Sequence, residues 1–299
     1  MKQNTYFLLS ILFLFAGTTS AKKFKVFYLG GQSNMDGYGY VKELPEELNQ
    51  PVKGAFIFHG NTAPDTSAVD GNGVWEVLKP GHGTGHQSSA KGNKLSDRVG
   101  IEITFARELQ RLMPGENIAL VKYSKGGTSI HLDAAGKFGS WDPDFSVGNG
   151  VNQYDHFLAT VKNAFSAKDI DGDGELDELI PAGIVWMQGE SDAHVPEIAE
   201  EYAANLKRLV DLIRAAFLTD DLPIVIGRIS DSGNDSDGKV WDYGNIVRWQ
   251  QARFVNRDEN AALVTTTDNY DYSDKWHYDT AGYIDLGKQF ARAVVNLMK

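Results

Sequence analysis

Ser33 lies in the run Gly31-Gln32-Ser33-Asn34-Met35, and far along the chain Asp274 and His277 stand three residues apart in Asp274-Lys275-Trp276-His277. A serine hydroxyl becomes a useful nucleophile only when a base takes its proton and a third group orients that base. On a turn ahead of a helix, Asp274 can accept a hydrogen bond from one nitrogen of His277 while the other faces the serine. The oxyanion formed on an attacked carbonyl needs donors already aimed at it. The backbone N–H groups of Ser33 and of Gly126 or Gly127, with the side-chain amide of Gln188, are the candidates. Gln32 and Asn34, which flank Ser33, and His131, just past the glycine pair, are expected at the substrate. Taken singly, a serine before a helix reads as an N-cap and a glycine pair as a turn. Their joint occurrence points to acyl transfer.

These residues need a scaffold that gathers them. Phe24–Leu29, Ala55–Phe58, Ile118–Tyr123, Ile184–Met187, Ile224–Ile229 and Leu263–Thr267 are short apolar, β-branched runs that read as strands buried on both faces. Between them, Glu102–Met113, Val151–Phe165, Ile198–Phe217, Asn245–Arg257 and Thr280–Met298 carry apolar residues at helical spacing. Alternating strand and helix predicts an α/β chain, a parallel sheet with helices on both faces. In such sheets ligands bind beyond the carboxyl ends of the strands. Ser33, Gly126-Gly127 and Gln188 all follow strands directly, and Asp274 and His277 fall between the last strand and the last helix. Two long segments, residues 60–97 and 129–150, are rich in Gly, Asn, Asp and His and are expected to wall the cleft.

The motifs resemble a known family. Gly31-Gln32-Ser33-Asn34-Met35-Asp36-Gly37 is similar to the first block of the SGNH-hydrolase carbohydrate esterases grouped with the sialic-acid-specific acetylesterases and bacterial acetylxylan esterases. Lys125-Gly126-Gly127-Thr128-Ser129-Ile130 resembles their second block, and Gln188-Gly189-Glu190-Ser191-Asp192 their third. Asp274-Lys275-Trp276-His277 resembles the last. The parent SGNH pattern has Asn where this chain has Gln188, and the carbohydrate-esterase branch has Gln. The resemblance spans Phe24 to the C-terminus. It implies a three-layer α/β/α sandwich of the SGNH or flavodoxin type, an acyl-enzyme mechanism with no cofactor in the chemistry, and O-acetylated carbohydrate as substrate. Sialic acids, or another glycan such as peptidoglycan, are the alternatives to acetylated xylan. Glu190 and Asp192 have no evident part in acyl transfer and are read as carboxylates bracing their loop. A non-catalytic carbohydrate-binding protein on a hydrolase scaffold is the reading from another class, and it predicts loss of Ser33, His277 or the oxyanion donors.

Other features stand apart from that chemistry. Asp169, Asp171, Asp173, Glu175 and Asp177 alternate through Asp169-Ile170-Asp171-Gly172-Asp173-Gly174-Glu175-Leu176-Asp177, with glycine at the sixth position, as in a calcium loop. Ile180 occupies the twelfth position, where a bidentate Glu is expected, so a structural calcium ion in a dockerin-like loop is the expectation. His82 and His86 have the spacing of helical metal ligands, but the glycines around them argue against a helix and suggest polar surface. Trp141, ahead of Trp241 and Trp249, is the expected platform for a sugar ring.

Composition sets the frame. The 299 residues are 42% hydrophobic and 23% charged, an ordinary globular balance, and the net charge of −11 disfavours nucleic acid and anionic membranes as partners. Lys2, the apolar run from Tyr6 to Phe15 and the small residues ending at Ala21 have the form of a secretory signal peptide. Residues 1–21 are therefore expected to be removed, and residues 22–299 to form one secreted or periplasmic catalytic domain without stable membrane insertion. With no cysteine, the chain has neither disulfides nor a thiol nucleophile.

Overall fold

A computed structural model describes residues 21–61, 69–89, 91–146 and 151–299; the expected signal peptide lies outside the described residues, except for Ala21. Seven strands form the main sheet: β1 (Lys23–Gly31), β2 (Ala55–His59), β3 (Trp75–Val77), β4 (Asn117–Ser124), β5 (Glu178–Met187), β6 (Ile224–Gly227) and β7 (Ala261–Val264). Their order is β7-β6-β5-β1-β4-β2-β3, parallel throughout except where β3 turns back along β2. The antiparallel edge strand departs from the all-parallel expectation. At three residues, with only Trp75 and Val77 apolar, β3 is too short to carry a legible period.

The helices are α1 (Ser33–Asp36), α2 (Glu102–Leu112), α3 (Gln153–Ser166), α4 (Pro196–Ala216), α5 (Gly244–Val255) and α6 (Thr280–Leu297). Consecutive residues of β1 show how they cover both faces of the sheet. Phe27 meets Phe105 of α2 edge-on at 5.6 Å, whereas Tyr28 points the opposite way, onto Phe157 of α3 at 4.8 Å. A strand alternates its side chains, so an apolar residue at every position requires a helical layer on each side. Each such buried ring contributes roughly 1.5–3 kcal/mol.

The two layers also need close approaches. A Cβ on Gly287 of α6 would lie 2.2 Å from Thr104 Oγ1 and 2.6 Å from the Ile101 carbonyl, so only glycine allows α6 to cross α2 here. Gly31, at φ +140°, does the same at the end of β1, where a Cβ would lie 2.0 Å from the Met187 carbonyl. That carbonyl then accepts the Gln32 N–H at 2.9 Å. The chain leaves β1 for β2 on one side and later crosses back over β1 from β4 to β5 on the other, which opens a crevice at its carboxyl end.

Candidate active site

Ser33 opens α1 directly beyond β1 and borders a cleft of about 720 Å³. Gly126 and Gly127, on the loop after β4, form one wall, and His277, on the turn before α6, forms another. Asp279 starts α6 by accepting the Gly282 N–H at 2.7 Å, which fixes the turn that carries His277.

Asp274 Oδ2 lies 2.7 Å from His277 Nδ1, and its Oδ1 accepts the backbone N–H groups of Trp276 and His277 at 2.7 and 2.8 Å. Burial pulls the Asp274 carboxyl upward, but these hydrogen bonds outweigh it and hold the group below the usual carboxylate range. The ring of Tyr38 lies parallel to the other face of His277, with centroids 3.5 Å apart and planes within 5°. Asn34 joins the pieces: its amide donates to Glu190 at 2.8 Å and to the Trp276 carbonyl at 3.3 Å, while its Oδ1 accepts the Tyr283 hydroxyl at 2.8 Å. Asn34 is thus a buried tie between the Glu190 loop, the turn that carries Trp276 and α6, with both amide protons committed away from the cleft.

Several expected residues are placed differently. The Gln188 amide is fully buried and donates to the Thr128 carbonyl at 3.1 Å and to Asp192 at 2.6 Å, so both its protons are committed away from the cleft. The Gly126 N–H is likewise taken, by Asp36 at 2.7 Å. Gln32 instead faces the cleft. Its Oε1 accepts the N–H groups of Gly189 and Ser191, each at 3.3 Å, and its amide nitrogen has no acceptor among the described residues. The Gly127 N–H also has none among them.

His131 is away from the cleft, beside Glu201 at 3.1 Å. Trp141 is fully buried, donating to Thr128 at 2.9 Å and packed edge-on against Trp186. Its indole could not be assigned from sequence because the long loop that carries it folds into the core. Trp249 is 61% exposed but outside the cleft, whereas Trp241 lines it. The cleft also presents Phe138, and Trp276, 47% exposed beside His277. Tyr38, Phe138 and Trp276 were missed as site residues. Only Trp276 carried a signal, its place beside the histidine.

Asp192 accepts the N–H groups of Ile130 and His131, at 3.1 and 2.9 Å, together with the Gln188 amide, and so braces two cleft loops. Burial lifts its carboxyl to about 6 against these donors. Burial also raises Glu190, whose Oε2 has no partner among the described residues.

In the acidic loop, Asp169, Asp171 and Asp177 bring carboxylate oxygens within 4.8 Å of one another, a hard oxygen donor set suited to calcium. Asp173 and Glu175 are not part of that group. The ammonium of Lys22 binds Asp171, and reaches Asp173 at 2.6 Å, so a cation from the chain already answers the loop's charge.

A serine and an aspartate-oriented histidine, at the carboxyl ends of a parallel sheet covered on both faces, are the equipment of an ester hydrolase. The sequence profile of the carbohydrate esterases described as sialic acid-specific acetylesterase matches residues 23–296, and the chain belongs to that family. A probable carbohydrate esterase of Arabidopsis thaliana is 25% identical over 276 residues, covering 91% of this chain and 90% of the relative. The X-ray structure of an Arabidopsis thaliana protein superposes with a TM-score of 0.60 at 22% identity, over 91% of this chain and 98% of that one. A carbohydrate acetylesterase from Xanthomonas citri superposes with a TM-score of 0.61 at 15% identity, over 91% of this chain and 56% of that one. These likenesses establish the mostly parallel, three-layer fold.

Proposed function

We propose that this enzyme removes acetyl groups from carbohydrate through an acyl-enzyme formed on Ser33. The observation that carries the reading is the meeting of Ser33 with the Asp274–His277 pair in one cleft, 2.7 Å separating carboxylate from imidazole. His277 takes the Ser33 hydroxyl proton as Oγ attacks the acetyl carbonyl, and the oxyanion forms against the N–H groups of Ser33 and Gly127 and the amide of Gln32. Collapse expels the sugar oxygen, which leaves with the proton from His277. Water then adds to the acetyl-serine with His277 again as base, releasing acetate and restoring the hydroxyl.

Trp241, Trp276 and Phe138 offer apolar faces that match pyranose rings. They favour a neutral acetylated polysaccharide fragment of the xylan kind, met outside the cytoplasm after export. Acetylated sialic acid is the second reading, favoured by the family's description. Ser33→Ala is expected to abolish acetate release from p-nitrophenyl acetate and acetylated xylan without changing the melting temperature. Retained turnover would refute the nucleophile. Acetate release from acetylated xylan, sialic acid and peptidoglycan compared side by side identifies the sugar.

A further inference from the structure

Three histidines that the ester chemistry does not use converge beneath the cleft. His59 ends β2, and His82 and His86 come from the loop that follows β3; their exposures are 4%, 1% and 7%. They are buried rather than the polar surface expected from the surrounding glycines. A Cβ on Gly83 would lie 2.5 Å from the Arg98 carbonyl carbon, and Gly85 sits at φ +86°. The glycines thus let a tight loop turn both imidazoles inward.

One ring nitrogen from each histidine lies within 4.8 Å of the other two. His59 Nδ1 faces His82 Nδ1 at 3.3 Å, close to the ~3.3 Å that separates ligand nitrogens on a tetrahedral ion with bonds near 2.0–2.1 Å. The ring of His86 stacks on His59, with centroids 3.9 Å apart and planes within 8°, so it must turn out of that stack to aim a lone pair at the same ion. His82 Nε2 and both nitrogens of His86 have no hydrogen-bond partner among the described residues. Unpartnered polar atoms on side chains this buried are costly, and an ion bound by His86 would satisfy one of its two nitrogens.

The surroundings fit a cation with soft-to-borderline character. All three donors are imidazole nitrogens on side chains almost wholly out of solvent. Lys122 is itself neutralised by Glu102 and donates to the carbonyls of Asp36 and His82, both at 2.8 Å. Glu76 lies 3.5 Å from His82 Nε2, the place where a carboxylate commonly orients a ligating imidazole. A cavity of about 50 Å³ borders His59 and His86, with Asp36 and Thr84 but not His82 on its wall, and leaves room for a water beside the histidines.

We propose that His59, His82 and His86 bind one divalent transition-metal ion of the zinc class, with water as fourth ligand, as a positioning element of the cleft. An all-nitrogen set selects such an ion over calcium or magnesium. The ion anchors the loop whose Thr84 N–H donates to the Gly37 carbonyl at 2.9 Å and whose Thr84 side chain bonds Tyr38, the residue stacked on His277.

The test uses the full chain, stripped with chelator and titrated with Co²⁺ alone. The expected result is a single tight equivalent with the intense visible absorption of four-coordinate cobalt, bleached by Zn²⁺. His86→Gln and His82→Gln should each weaken binding by at least about 100-fold, with near-ultraviolet circular dichroism in chelator unchanged in at least one of them. Asp171→Asn, in the acidic loop, should leave the signal intact. No tight cobalt or zinc equivalent, or one that survives both histidine substitutions, overturns the proposal.

Discussion

His277 is held from two directions, by Asp274 in the plane of its ring and by Tyr38 against its face. Asp274→Asn should lower kcat by roughly 10³–10⁴-fold by destabilising the required tautomer, measured as acetate release at saturating substrate. Tyr38→Ala should lower kcat by about 10–100-fold by freeing the ring, while Tyr38→Phe, which keeps the stack, should stay close to the parent. Equal losses in the two would place the role of Tyr38 in its hydroxyl. Gln32→Ala should lower kcat by about 10²-fold as an oxyanion donor is lost. The meeting of Ser33 and His277 at one cleft, with Asp274 on the histidine, was legible because residue type and local order suggest it. The placement of the two glutamines was not. Which amide faces the cleft depends on Thr128 and Asp192, whose own positions depend on how distant loops pack.

At the scale of elements, the long helices were legible from their periods and the inner strands from their unbroken apolar runs. β3 and the inward course of the Trp141 loop were not, because partners far along the chain decide them. Asp192 shows the energetic side of that packing. Its carboxyl is lifted to about 6 in the folded protein, above the ~3.9 of an unfolded chain, so the fold binds this proton more tightly. The associated stability is complete below about pH 4 and is lost as pH rises through about 6. The excess in unfolding free energy of the parent over Asp192→Asn should accordingly fall by up to ~3 kcal/mol between pH 4 and 7 in urea titrations. A flat difference would assign that titration elsewhere. If calcium binds the acidic loop it must displace Lys22, so Lys22→Ala should then gain more melting temperature from added calcium than the parent does. An equal response would rule out competition at that site.

For the molecule as a whole, the net charge of −11 acts on approach rather than on chemistry. Added salt should raise kcat/KM for an acetylated sialic acid by screening repulsion, and leave that for neutral acetylated xylan nearly unchanged. A matching response in both would show that the field at the cleft mouth is locally neutralised. The buried histidines belong to this scale too. The spacing of His82 and His86 was visible in the sequence, but the part of His59 and the burial of all three became visible only with β2 and the glycine loop in place.

Asn34 bonds the Trp276 carbonyl across a sequence separation of 242 residues. The serine and the histidine of the cleft are therefore supplied by parts of the fold that are remote in sequence. Ser33 does not meet His277 until α6 and the turn before it have docked, a long-range closure that comes late in folding. The cleft is thereby assembled by tertiary docking, and a chain in which α6 is undocked is silent without any inhibitor to hold it.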